Sequence, residues 1–84
     1  MKFTSEQRAL IDATILEVLA TEPLTAYAVS CRVERKLSAH FAVDWRDIDT
    51  SLQRLRKRRL IKTVRSGSFS HWHLEASVQT STSL

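Results

Sequence analysis

The chain has 84 residues, a formal net charge of +4, one cysteine and one glycine. This length suits a single small domain and is too short to enclose a deep catalytic cleft. A lone cysteine excludes an intramolecular disulfide, and the sequence has neither an apolar run long enough to span a membrane nor a signal-peptide pattern. We therefore expect one cytoplasmic domain over residues 1–75, followed by a disordered polar tail over residues 76–84.

Charge is distributed unevenly along the chain. Residues 1–49 hold six Lys/Arg and eight Asp/Glu, whereas residues 50–84 hold seven Lys/Arg and only one acidic residue, Glu75. All seven of these cations fall within residues 54–65. Cations crowded in this way repel one another, and a polyanion would relieve the repulsion while releasing its counterions. The pattern favours nucleic-acid binding over a merely solvated helix face.

Two helices are predicted in the first half of the chain. Thr4 and Gln7 fit a capping box at the start of the first, which should run to about Ala20. Its inward stripe comprises Ile11, Ile15, Val18 and Leu19. Leu10 and Leu16 flank this stripe; we expect them to pack against a returning hairpin, and a self-association patch is the alternative.

Pro23 ends the first helix, and Thr25 is a suitable N-cap for a second helix from Ala26 to about Leu37. The repeat of Val29, Val33 and Leu37 places these side chains on one helix face. The connector that follows, residues 38–43, is expected to be anchored in the core by Phe41 and Val43.

A third helix is predicted from Asp44, whose side chain would cap it together with Asp47. Steps of three and four place four apolar residues on one stripe: Trp45, Ile48, Leu52 and Leu55. The opposite face carries Arg46, Asp47, Thr50, Arg54, Lys57 and Arg58.

Two β-favouring runs follow this helix, residues 60–65 and 69–74, on either side of the only glycine, Gly67. We interpret them as a β-hairpin. The spacing of Ile48, Leu52 and Leu55, then Leu60-Ile61, a glycine-centred turn and Trp72-His73-Leu74, resembles the pattern of winged-helix (winged helix-turn-helix) DNA-binding domains.

The resemblance implies a small α/β (α+β) winged helix: three helices plus a short antiparallel β-hairpin wing. Residues 44–58 would be the recognition helix and residues 61–74 the wing, with Leu24 in a brief extended segment paired to it. The chain departs from the pattern at Arg59, where the family usually has glycine. The recognition helix must therefore end either with a non-glycine residue in the left-handed region or with an extra helical residue.

These positions suggest roles in binding double-stranded DNA. The first turns of a recognition helix reach deepest into the major groove, where arginine can contact guanine, glutamine adenine and threonine a thymine methyl group. The predicted base contacts are Arg46, Thr50, Gln53 and Arg54. The predicted contacts to phosphates and around the wing are Lys57, Arg58, Lys62 and Arg65.

Three carboxylates at the start of the recognition helix oppose this interpretation, because they would approach phosphates. Asp44 can be explained as a cap, Asp49 as a partner of Gln53 or Arg56, and Asp47 as an acceptor from cytosine or as a group that orients Arg46. If none of these holds, the helix face would meet a protein. The alternative function is thus a winged-helix interaction module whose basic face docks on an acidic partner.

The sequence favours neither catalysis nor a cofactor. It has no glycine-rich phosphate loop, and its soft ligands, Cys31, His40, His71 and His73, match no zinc spacing. We expect no enzyme activity, no metal and no cofactor. The expected partner is double-stranded DNA, in the nucleoid if the source is bacterial, with weak homodimerisation as a further expectation.

Overall fold

The computed structural model describes residues 3–75. Three helices precede a two-stranded antiparallel sheet. The elements are α1 (Ser5–Thr21), α2 (Ala26–Leu37), α3 (Trp45–Lys57), β1 (Ile61–Ser66) and β2 (Phe69–Leu74). The tail predicted over residues 76–84 lies outside the described residues. Within the part of the chain that is described, no helix is both long enough and apolar enough to cross a membrane.

The helices begin where the sequence predicts. The Thr4 hydroxyl accepts from the Gln7 amide and the Gln7 side chain accepts from the Thr4 amide, so the capping box is formed. The Thr25 hydroxyl accepts from the Ala28 amide at the start of α2. These contacts satisfy amides that have no partner within the helix, and they fix the first turns of α1 and α2.

The three helices and the sheet enclose one apolar core. The predicted inward residues of α1 and α2 are buried, as are Ile48, Leu52 and Leu55 of α3. Val43 is buried and Phe41 packs against the core, so the connector between α2 and α3 is anchored as expected. One side of α3 therefore packs against the core, and its opposite side is exposed to solvent.

Two apolar residues lie outside the positions that the sequence pattern gave them. Trp45 is 61% exposed and does not belong to the inward stripe. The buried face of α3 is completed by Ser51, which at about 100° per residue centres that face between Ile48 and Leu55 and leaves Trp45 at its edge. Leu10 is also exposed, whereas Leu16 is partly buried and packs against the core.

The wing is hydrogen-bonded to a third extended segment, which contains Leu24. Leu24 and Trp72 form an antiparallel bridge in which each backbone amide donates to the other's carbonyl, at 3.2 and 2.6 Å. Trp72 is buried, as is Leu24. This pairing confirms the expectation for Leu24, and it fixes the hairpin against the α1–α2 connection.

α3 ends on a non-glycine residue in the left-handed region. Arg59 has φ 61°, and its amide donates to the Arg56 carbonyl while the Leu60 amide donates to the Leu55 carbonyl. Two such bonds define a Schellman cap, and Leu60 packs against the core cluster that contains Leu55. The first of the two predicted endings is therefore confirmed.

Candidate nucleic-acid interface

The outer face of α3 is a row of exposed polar side chains. Arg46, Thr50, Gln53 and Lys57 follow one another at steps of three and four, all exposed. The Thr50 hydroxyl donates to the Arg46 carbonyl at 3.0 Å. This bond turns the hydroxyl back to the helix, so the Thr50 methyl group is the part best placed for an outside contact.

Arg54 lies at the edge of that row, towards α1, and lines the same shallow depression as Thr50, Gln53 and Lys57. Its Nη2 contacts Asp12 Oδ1 at 2.6 Å and Ser51 Oγ at 3.1 Å, and its Nε lies 3.4 Å from Asp12 Oδ2. The Arg54 side chain is 35% exposed and that of Asp12 only 16%. The side chain that the sequence assigns to a base edge thus joins α3 to α1 in the free protein.

The remaining predicted contacts lie at the end of α3 and on the hairpin. Arg58 caps the helix, and Arg58, Lys62 and Arg65 are all exposed. Pairing of Lys62 with His73 and of Arg65 with Ser70 places the two cations on opposite faces of the hairpin, because strand side chains alternate. Gly67, with φ 63°, lies in the turn between β1 and β2 and forms the wing tip.

The carboxylates at the start of α3 are largely explained by the helix itself. Asp44 Oδ1 accepts from the amides of Arg46 and Asp47, and Asp47 Oδ2 accepts from the Asp44 amide at 3.0 Å. This reciprocal cap confirms the role predicted for Asp44 and gives Asp47 a role in folding. Asp49 is exposed, one turn further along.

An apolar groove between α2 and α3 adjoins this surface, and the sequence did not reveal it. Its volume is about 340 Å³. The walls include two exposed aromatic rings, Tyr27 and Trp45. A side-chain hydrogen bond with Cys31 raises the pKa of the Tyr27 phenol, with the Cys31 and Glu34 charges acting in the same direction. Tyr27 therefore stays neutral at physiological pH.

A sequence signal for the α2 side of this groove does exist. Tyr27, Cys31 and Glu34 are spaced by four and three residues, which places them on one face of α2, separated from the stripe of Val29 and Val33 by Ser30. No comparable signal pairs Asp12 with Arg54, which are 42 residues apart.

The two histidines of the wing are half-buried and share one face of the hairpin. His71 pairs with Val64 and His73 with Lys62, opposite to the face that carries Trp72. The Nδ1 atom of His71 is buried without a hydrogen-bond partner. Among residues 3–75, no three His, Cys, Asp or Glu side chains come together in a way that could hold a metal ion.

Comparisons with known proteins identify the fold. No family model and no curated protein matches the sequence. A transcriptional regulator from Clostridium thermocellum superposes with a TM-score of 0.75 at 17% identity, over 96% of this chain and 82% of that one. Bacillus subtilis PadR, solved in complex with operator DNA, gives a TM-score of 0.63 at 17% identity, over 83% of this chain and 42% of PadR.

A third solved structure is similar over nearly the whole chain. It is the homodimeric winged helix-turn-helix DNA-binding domain of a possible ArsR-family transcriptional regulator from Mycobacterium bovis. Its TM-score is 0.58 at 17% identity, over 99% of this chain and 91% of that one. The architecture predicted from the sequence is confirmed: this chain has the winged-helix fold.

Proposed function

We propose that this protein binds double-stranded DNA in a sequence-specific manner, as a small transcriptional regulator or accessory factor. The observation that carries the proposal is the row of exposed side chains along α3, which runs into the cations at the end of the helix and on the wing. Two of the three carboxylates that would oppose phosphates, Asp44 and Asp47, are engaged in capping α3. The fold neighbours, named as regulators and in one case solved with operator DNA, support the same function.

In this proposal α3 enters the major groove and the wing rests on the adjacent backbone. Arg46, Thr50 and Gln53 would meet base edges, since they share the outer face of the helix. Lys57 and Arg58 would meet phosphates at the end of α3. On the wing, Lys62 and Arg65 would contact the duplex from different faces of the hairpin.

We assign Arg54 mainly to positioning. Its guanidinium already holds Asp12 of α1, and a base contact would require it to leave that partner or to share it. The ion pair fixes the rotation of α3 against α1, and thereby the direction in which Arg46 and Thr50 project.

The test is a fluorescence-anisotropy titration with random-sequence duplex DNA over a range of salt concentrations. A protein that neutralises about five phosphates should give a log–log slope of about −4 to −6. Lys62→Ala should reduce the slope by about one unit. Lys36→Ala is the matched control, because Lys36 lies on α2 and is paired with Glu17 of α1 at 3.0 Å. Absence of binding at low salt would refute the proposal and point to an acidic protein partner.

Sequence preference is tested separately, by selection from a randomised duplex pool. Arg46→Ala should relax the preference at one position and leave the others in place. A pool with no enriched motif would refute base recognition by α3 while leaving general DNA binding intact.

We also propose weak self-association through α1. Leu10 is exposed on that helix, and one fold neighbour is a homodimeric domain. Sedimentation across a range of protein concentrations would detect a dimer, and Leu10→Ser should weaken it.

We infer that the protein acts by binding and not as an enzyme, because the neighbours are named as regulators and the cations of the surface are open to solvent. A DNA-binding role would place the protein in the nucleoid of a bacterial cell.

A further inference from the structure

The groove between α2 and α3 contains the largest concentration of exposed aromatic surface on the described part of the protein. Tyr27 is 79% exposed and Trp45 61% exposed, and both rings line the groove beside Leu52. Exposed aromatic rings that line an apolar depression are typical of recognition surfaces.

The groove is continuous with the outer face of α3. Asp49 lines it and also lines the shallow depression that contains Thr50, Gln53 and Lys57. Trp45 is the first residue of α3, directly before Arg46. A duplex placed against the outer face of the helix would therefore also meet the opening of this groove.

The charges at the groove limit what it can hold. Glu34 and Asp49 contribute carboxylates to its lining, so a phosphate placed there would be repelled. The remaining lining is mainly apolar, and a neutral base edge fits it better than a sugar–phosphate chain. In the major groove, only thymine among the four standard bases presents a methyl group.

A T·A pair offers both of the groups that this site would accept. Its thymine carries the 5-methyl group, and its adenine presents an N6 amino donor across the same edge. The methyl group matches the walls formed by Tyr27 and Trp45. The amino group matches the carboxylate of Asp49, which is exposed at the junction with the outer face of α3.

From this juxtaposition we infer that the groove between α2 and α3 receives the 5-methyl group of a thymine, with Tyr27 and Trp45 as specificity-determining residues. The inference rests on the proposed DNA-binding function and adds a base preference to it. Trp45 has a second effect, because the Arg46 guanidinium carbon lies 5.5 Å from the centre of its ring. This cation–π contact orients an arginine that is itself proposed to meet a base edge.

The experiment uses the duplex enriched by the full-length protein from a randomised pool. The enriched motif should contain a thymine at a fixed position. Replacing it with deoxyuridine removes only the 5-methyl group, and the affinity should fall by about fourfold, as expected for one buried methyl group. Equal binding of the thymine and uracil duplexes would overturn the inference.

Variants connect that methyl effect to the groove. Trp45→Ala and Tyr27→Ala should each bind the thymine and uracil duplexes with nearly equal affinity. Trp45→Phe should restore part of the difference, since it keeps an aromatic wall. Phe69→Ala is the matched control, because Phe69 is an aromatic residue of similar exposure, 66%, on the wing and outside the groove. A full methyl effect in Trp45→Ala, or its loss in Phe69→Ala, would also overturn the inference.

Failure of the inference and failure of the proposed function give different results. Salt-dependent, sequence-specific binding without a methyl effect overturns only the role of the groove. Absence of salt-dependent binding to any duplex refutes DNA binding itself, and the inference with it. Circular dichroism of each variant establishes that the three helices are retained.

Discussion

The ion pair between Asp12 and Arg54 leads to the sharpest prediction about this fold. We expect Asp12→Ala and Arg54→Ala each to lower the free energy of unfolding. The double variant should lower it by less than the sum of the two single losses, because both single variants remove the same interaction. A double-mutant cycle isolates the interaction of the two side chains from their other contacts.

The geometry sets the magnitude. Arg54 reaches Asp12 with two donor atoms, at 2.6 and 3.4 Å, and only the first is a short bond. A hydrogen bond to a charged group contributes about 1.5–3 kcal/mol when it is well shielded, whereas exposed ion pairs contribute about 0.2–1 kcal/mol. With the Arg54 side chain 35% exposed, solvent screening reduces the upper figure, and we expect a coupling of about 1–2 kcal/mol.

Urea denaturation followed by circular dichroism measures this coupling, and thermal melting provides a second estimate. For a domain of this size, a loss of about 1 kcal/mol lowers Tm by roughly 4–8 °C. Asp12→Asn is the matched variant, since it keeps the size of the side chain and removes its charge. Added salt should reduce the coupling, because the pair is partly open to solvent.

The same variants test the role of Arg54 in DNA binding. If Arg54 positions α3, Asp12→Asn and Arg54→Ala should change the affinity for an enriched duplex in the same direction. A coupling below about 0.3 kcal/mol, within the usual additivity of independent sites, would refute the structural role. So would loss of one base preference in Arg54→Ala with no change in Asp12→Asn, a result that would restore the base contact predicted from the sequence.

Three other predictions concern residues that stabilise α3 and the wing, the two elements that carry the candidate interface. Arg59→Gly should raise the free energy of unfolding by about 0.5–1 kcal/mol in urea, because glycine adopts a φ of 61° without strain; Arg58→Gly, at a φ of −80°, should give no such gain. Asp44→Ala should cost about 0.5–2 kcal/mol by removing the cap of α3, measured by chemical denaturation, and Asp44→Asn should cost less. Trp72→Ala should cost about 3–5 kcal/mol, and it should also abolish the slow exchange of the Leu24 amide in hydrogen-exchange NMR. Each mechanism would be contradicted by one result: a gain in stability in Arg58→Gly, unchanged stability in Asp44→Ala, or unchanged exchange of the Leu24 amide in Trp72→Ala.

The fold was largely predictable because local signals and the apolar pattern agree. Caps at Thr4, Thr25 and Asp44 mark all three helix starts, and the periodic apolar residues between them select the buried faces. The hairpin follows from two β-favouring runs around Gly67, whose φ of 63° places it at the first position of a tight turn. Each of these signals acts over a few residues, which is the range that a single sequence reveals.

The site was less predictable because its geometry depends on contacts between distant elements. A helical period assigns Arg54 to the polar side of α3, and it does not reveal that Asp12 of α1 lies within bonding distance. Trp45 was misplaced for a related reason: a stripe drawn through four apolar residues takes no account of which neighbouring helix covers each end of it. The groove that Trp45 forms with Tyr27 exists only once α2 and α3 have packed together.

The bridge between Leu24 and Trp72 has a consequence for the energetics of the free protein. A two-stranded hairpin alone is marginal in water, but this one is fixed to the α1–α2 connection through paired backbone bonds and a buried indole. The wing cations therefore keep a fixed position relative to those at the end of α3 before any ligand arrives, and their mutual repulsion is part of the native state. Salt should screen this repulsion under the same conditions that should weaken the proposed binding to DNA.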